Sequence, residues 1–176
     1  LVVAREWERG TMEAMMSTPI RIHEMLLAKL LPYFLLGLGS MTLCVTLSVT
    51  LFAVPFRGSY CVLLVSTSIF LLAALGLGLL ISTLTRNQFV ASQISILTGF
   101  LPAFILSGFI FEINSMPVII RGITYLLPPR YFVTILQSSF LSGVIWELIF
   151  FNWFAMFLIA SFFLGLSARY TVKRLD

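Results

Sequence analysis

The chain has 176 residues, of which 60% are hydrophobic and only 10% are charged, with a formal net charge of +4. A soluble domain carries about a quarter charged residues, so this composition excludes a water-soluble fold. The basic residues lie between apolar runs rather than on one face, which argues against nucleic acid as a partner. Eight of the 18 charges fall within residues 1–29.

Four uncharged runs after Lys29 are long enough to cross a membrane, which takes about 20 helical residues. Each run must be helical, because an open sheet would leave backbone polar groups unpaired in lipid. A fifth run, 131–146, has 16 residues and is too short to cross. The sequence therefore predicts an all-α membrane protein with four transmembrane helices, at about 30–54, 60–82, 89–109 and 148–167.

The distribution of Lys and Arg predicts the orientation of these helices. With four spans both ends of the chain lie on one side, which then holds eight basic residues, against three on the other. The three are Arg57, Arg121 and Arg130. We therefore expect both ends of this segment in the cytoplasm. We expect residues 1–29 to form a cytoplasmic loop and residues 30–176 to form the transmembrane domain.

Segment 110–146, on the opposite side, differs from a plain loop. Asn114 and Ser115 precede Pro117, a pattern typical of a helix start. Two short apolar stretches follow, separated by Pro128-Pro129. Neither is long enough to cross the membrane, so we expect two short extracytoplasmic helices that are re-entrant or interfacial.

The loop before the first span contains a short Met-rich helix. Met12, Met15 and Met16 are spaced i, i+3, i+4, and Pro19 ends the run. This spacing gives one apolar face. A flexible Met face suits a socket on a partner protein, although the same face could lie on lipid or on the chain's own bundle.

Several segments resemble the type-2 ABC exporter permeases, and the nearest resemblance is to the bacterial drug-efflux branch. In that family the cytoplasmic loop reads roughly R-E-R-E-x-G-T-x-E-x-L-x-x-[ST]-P, then G-K-x-x-P-Y. The outer segment reads L-S-G-x-x-[FY]-P-x-x-x-M-P, then L-P-x-[RT]-Y-F. The matching segments occur in the same order, at 5–13, 18–19, 29–33, 106–109, 116–117 and 127–132. Three residues depart from the pattern: Trp7, Ala28 and Glu112.

The resemblance implies a six-span permease half of which this chain is the C-terminal part, an interpretation that the opening Leu1-Val2-Val3 and the lack of an initiator Met also favour. It implies a second permease half, in a homo- or heterodimer, two cytoplasmic ATPase subunits and membrane lipid as partners. A coupling helix would enter a groove of the ATPase. Its candidate residues are Gly10, Thr11, Met12, Glu13, Met15, Met16 and Pro19.

The outer segment supplies the second set of candidate residues: Ser107, Gly108, Glu112, Pro117, Arg130 and Tyr131. Glu112 could pair with Arg121 or Arg130, or remain solvated. No G-x-x-x-x-G-K-[ST] sequence is present, so the chain cannot cradle ATP phosphates itself, and we expect the partner subunit to bind ATP. We also expect no cofactor, catalytic residue or metal site in this chain.

Small and hydroxyl residues recur every four positions within the spans. Ala74, Gly78 and Ser82 predict a close helix contact, either within the bundle or between two permease halves. Thr42, Thr46 and Thr50 either line a substrate path or bond their own i−4 carbonyls, and we favour the second interpretation.

The leading functional prediction is the membrane subunit of an ATP-driven exporter of a hydrophobic or amphipathic substrate, such as a drug or lipid, from the bacterial inner membrane. The alternatives are an ion- or proton-coupled carrier or channel, or a membrane scaffold. A coupled carrier would need charged or broken-helix sites at mid-span, which the sequence lacks. An intramembrane serine enzyme is disfavoured, because the one histidine, His23, lies far from Ser107.

Overall fold

A computed structural model describes residues 2–10, 22–85, 87–108 and 113–170, and no strand occurs among them. Every regular element in these ranges is helical. The α-helices are α1 Val2–Glu8, α2 Ile22–Thr50, α3 Tyr60–Thr85, α4 Gln88–Ser95, α5 Leu101–Leu106, α6 Val118–Thr124, α7 Pro128–Leu141 and α8 Trp146–Tyr170.

Four helical stretches are long and apolar enough to span a membrane, as the sequence predicts. They are Glu24–Thr50, Tyr60–Thr85, Gln88–Leu106 and Trp146–Tyr170. The all-α membrane fold with four transmembrane helices is thus confirmed. The first transmembrane helix, α2, begins earlier than the run of uncharged residues suggests and continues without a break through Pro32. It ends at Thr50, ahead of the turn that contains Pro55.

The third span is a composite helix. Its start is capped by Asn87, whose side-chain oxygen accepts from the backbone N–H of Phe89 at 2.9 Å and of Val90 at 3.1 Å. A π-helical stretch, Ile96–Phe100, separates α4 from α5. Pro102 is the second residue after that stretch. Proline lacks an N–H and clashes with the carbonyl four residues earlier, so the wider π turn gives this ring room.

Helix α3 is the centre of the bundle and has its most extensive contacts with α8, followed by α2 and α7. The α3–α8 contact is close because Gly76 lacks a side chain. A β-carbon at Gly76 would lie 3.1 Å from Leu164 Cγ. In the same way, Gly37 of α2 lies against Leu71, whose Cδ2 would be 2.6 Å from an added β-carbon.

Within the described part of the chain, only Ser82 of the small-residue stripe of α3 contacts another helix, through its hydrogen bond with the backbone of Ala4 in α1. A β-carbon built at Gly78 would meet nothing within 4 Å, and Ala74 is exposed. Gly78 faces a direction almost opposite to that of the packed Gly76, because helical positions two apart differ by about 200°. A contact with a second permease half stays a prediction.

Candidate functional site

Most of the predicted coupling helix lies outside the described residues. This applies to Thr11, Met12, Glu13, Met15, Met16 and Pro19, whereas Gly10 is described. Gly10 follows α1 in a turn and has a φ of +67°, in the left-handed region that favours glycine. A glycine turn therefore directly precedes the rest of the predicted coupling helix.

Polar contacts fix both flanks of the coupling segment to the bundle. The Lys29 ammonium of α2 forms an ion pair with the Glu6 carboxylate of α1, and both side chains are largely buried. The Ser82 hydroxyl of α3 accepts a hydrogen bond from the backbone N–H of Ala4 at 2.9 Å. The Glu8 carboxylate accepts from the backbone N–H of Gln88, at the start of α4, at 2.9 Å. A carboxylate is favourable at a helix N-terminus. Helices α1 to α4 therefore meet at one end of the bundle.

A cavity of about 380 Å³ lies between these four helices, and we call it the α1 cavity. Its charged lining residues are Arg5 and Lys29. The remaining lining is mostly apolar, with hydroxyls from Tyr33, Ser82 and Ser95. The small-residue stripe of α3, Ala74, Gly78 and Ser82, forms part of this wall. The stripe that the sequence singles out therefore borders open space.

At the outer segment, Arg130 and Tyr131 join the end of α6 to the start of α7. The Arg130 guanidinium donates to the Thr124 hydroxyl and, at 3.5 Å, to the Arg121 carbonyl oxygen. It also lies 3.7 Å above the centre of the Tyr125 ring, in a cation–π contact. The Tyr131 hydroxyl donates to the Tyr125 carbonyl oxygen at 2.8 Å. Arg130 thus interacts with the carboxyl end of α6, where a cation is favourable.

Of the other four candidates of the outer segment, three lie among the described residues and one lies outside them. Ser107 is buried, and Gly108 has a φ of +86° in the turn after α5. Pro117 directly precedes α6, at the place where the sequence predicts a helix start. Glu112 lies outside the described residues, so its pairing with Arg121 or Arg130 stays a prediction.

Helix α7 packs along the first half of α3. Phe132, near its start, stacks on Phe70 with ring centres 4.6 Å apart. Phe140, near its end, meets Phe56, just before α3, edge-on at 5.1 Å. Helix α7 therefore runs antiparallel to α3. Its first turn lies about 15 Å along α3 from Tyr60, ten residues at about 1.5 Å each.

One polar contact in this region was not predicted from the sequence. Trp153 of α8 donates its indole N–H to the Ser66 hydroxyl of α3 at 2.7 Å, and Ser66 is fully buried. A buried indole N–H usually finds a partner. Trp153 in an apolar span therefore predicts a buried hydrogen bond, although the sequence does not identify which hydroxyl accepts it.

The hydroxyls of α2 bond their own backbone, which confirms the favoured interpretation of the Thr stripe. Thr42, Thr46 and Thr50 each donate to the carbonyl four residues earlier, at 2.7 to 2.8 Å. Ser48 does the same at 2.8 Å. The hydroxyl protons are therefore bonded within the helix, and the surface of α2 presents mainly apolar groups. Among the described residues no group of three His, Cys, Asp or Glu side chains could hold a metal ion.

A second cavity, of about 320 Å³, lies between α2, α3 and α7. Met41 and Ser48 line it from α2, and the stacked rings of Phe70 and Phe132 line it from the other two helices. Aromatic rings next to aliphatic side chains suit an apolar ligand.

Comparison with known proteins places these features in a family. Residues 1–169 match the model of the ABC-2 family transporter proteins. The chain is 55% identical over 178 aligned positions to the probable multidrug ABC transporter permease YbhS of Escherichia coli strain K12, covering 100% of this chain and 47% of that protein. It is 28% identical to the probable multidrug ABC transporter permease YbhR of the same strain, covering 84% of this chain and 41% of that protein.

A third relative is the inner membrane transport permease YhhJ of Shigella flexneri, 29% identical over 146 positions, 82% of this chain and 39% of that protein. The chain spans about half the length of the curated relatives it matches. No solved structure matches it. The family match extends over nearly the whole chain and agrees with the four membrane-spanning helices. The chain therefore belongs to the ABC-2 family of transporter permeases.

Proposed function

We propose that this chain is part of the membrane subunit of an ATP-driven exporter in a bacterial inner membrane. A separate ATPase subunit binds ATP, a second permease half completes the pathway, and a hydrophobic or amphipathic substrate moves outward. Both ends of the segment face the cytoplasm. The names of the YbhS and YbhR relatives, both multidrug ABC transporter permeases, support this proposal.

The observation that carries the proposal is the attachment of the coupling segment's flanks. Glu6 and Glu8 of α1 bind Lys29 of α2 and the start of α4, respectively. Ser82 of α3 binds the α1 backbone. A displacement of residues 10–18 by an ATPase would therefore act on three transmembrane helices at once. A loop that was not attached would absorb the same displacement.

The proposed path favours apolar substrates. The Thr42, Thr46 and Thr50 hydroxyls donate to carbonyls of their own helix, so towards a substrate they can accept a hydrogen bond but cannot donate one without breaking an existing bond. The second cavity, with Phe70 and Phe132 in its wall, offers mainly apolar contact. We place α6 and α7 on the extracytoplasmic side as a re-entrant or interfacial pair.

The test is a pair of substitutions at Met15 in the complete transporter. Met15→Asp should abolish substrate-stimulated ATP hydrolysis while the permease still inserts in the membrane, because an unpaired carboxylate is costly to bury in a socket. Met15→Leu is the matched control and should retain coupling, since it keeps the volume and apolarity of methionine. Unchanged stimulation in the Asp variant would refute docking through this face.

A further inference from the structure

The α1 cavity combines a cationic end with an apolar wall. The charged groups of its lining, Arg5 and Lys29, are both positive. Ser82 lies at the same end, where its hydroxyl contacts α1. Ala74 lies eight residues earlier in α3, about 12 Å away along the helix axis. The shape and polarity fit a molecule with an anionic head and an apolar tail.

Arg5 supplies the positive charge that is not matched by a carboxylate within the described residues. Its Nε donates to the uncharged side-chain oxygen of Gln88 at 3.3 Å. The acidic groups nearby have other contacts, since Glu6 pairs with Lys29 and Glu8 accepts from the Gln88 backbone. A guanidinium has five N–H donors in a planar fork, which binds a phosphate with two hydrogen bonds.

The wall beside Gly78 leaves room for the tail. A β-carbon at Gly78 would meet nothing within 4 Å, and the neighbouring Leu75 and Leu79 also line the cavity. The cationic end of the cavity lies where α1 meets the ends of three spans, which is the level at which lipid headgroups lie.

We propose that the α1 cavity binds an anionic membrane phospholipid, with the phosphate at Arg5 and the first part of an acyl chain along Ala74 and Gly78. The proposal rests on the proposed function for the placement of this end at the cytoplasmic face of the membrane. A lipid held there contacts both α1 and α3, next to the coupling segment. Anionic lipid would therefore strengthen the link between the ATPase and the bundle.

The experiment uses the complete transporter, with its ATPase, in phosphatidylcholine nanodiscs that contain a trace of photoactivatable lipid. One probe is phosphatidylglycerol with a diazirine on its acyl chain, and the other is phosphatidylcholine with the same chain. The phosphatidylglycerol probe should label residues 74–82 about fivefold more, the preference that one basic residue near a membrane surface gives. Arg5→Gln should remove that preference.

Gly78→Leu should reduce labelling of residues 74–82 to background, because the larger side chain fills the cavity. Gly165→Leu is the matched control, since Gly165 is also without a neighbour within 4 Å but lies outside this lining. Equal labelling by the two probes, or full labelling of the Gly78→Leu variant, would overturn the proposal. So would absence of labelling with both probes, since protein would then fill the cavity.

ATP hydrolysis measured on the same nanodiscs separates this proposal from the proposed function. Substrate-stimulated hydrolysis with no lipid preference would overturn the lipid site and leave the exporter proposal intact. A clear lipid preference without any ATP hydrolysis or ATPase association would support the lipid site and overturn the exporter proposal.

Discussion

The two ends of helix α3 are held by different chemistry. At its carboxyl end, Ser82 binds the α1 backbone beside the Lys29–Glu6 ion pair. At its amino end, Phe56 and Phe70 pack against α7 through aromatic rings. The first end adds directional polar contacts to the apolar packing of Leu26 and Leu30 of α2 against Leu79 of α3. The second end joins helices through the packing of aromatic and aliphatic side chains. We infer that the polar end transmits movement and the aromatic end holds the bundle together.

Reversing one charge at the polar end should produce the largest functional effect. Lys29→Glu places two carboxylates together, so α1 should separate from α2 and ATP-coupled transport should be lost. Disruption of such a partly buried contact costs about 1–3 kcal/mol. The measurements are substrate-stimulated ATP hydrolysis and thermal stability in detergent.

The double variant Glu6→Lys with Lys29→Glu is the control, since it restores opposite charges at the same positions. It should recover most of the coupling. Full activity in the single variant would show that the ion pair has no part in transmission.

Two glycines on α3 sharpen the distinction between packed and open surfaces. Gly76→Leu should lower the thermal stability of the bundle, because its side chain would meet Leu164 and Phe163 in the α8 contact. Overpacking of this kind costs about 1–3 kcal/mol. Gly78→Leu should leave stability equal or higher, because the site is open and leucine forms helix better than glycine. Equal loss of stability in both variants would contradict the packing described.

A smaller effect is expected at the contact between α3 and α8. Ser66→Ala removes the acceptor for the Trp153 indole N–H and should cost about 1–3 kcal/mol, because the donor stays buried. The double variant Ser66→Ala, Trp153→Phe should lose less stability than the sum of the losses in the two single variants. Thermal unfolding of the four proteins in a double-mutant cycle measures this coupling. Strictly additive changes would show that the bond contributes nothing.

The sequence predicts the spans well because length and apolarity alone decide which segments can cross a membrane. It does not predict which face of a span is packed. Helix α3 is apolar on all sides, so no hydrophobic periodicity separates the packed Gly76 from the open Gly78. The π turn before Pro102 and the docking of α1 on Ser82 also depend on tertiary contacts. Of the candidate site residues, the sequence pattern locates Arg130 and Tyr131 in one cluster, but their partners on α6 appear only in the fold.

The central claim is that the polar end of the bundle faces the cytoplasmic ATPase and the α6–α7 end faces outward. Single-cysteine labelling in intact cells tests this most directly, in a background that lacks Cys44 and Cys61. A membrane-impermeant thiol reagent should label cysteines at positions 57 and 121 and should not label those at positions 9, 86 and 173. Labelling of position 86 from outside the cell would contradict the account.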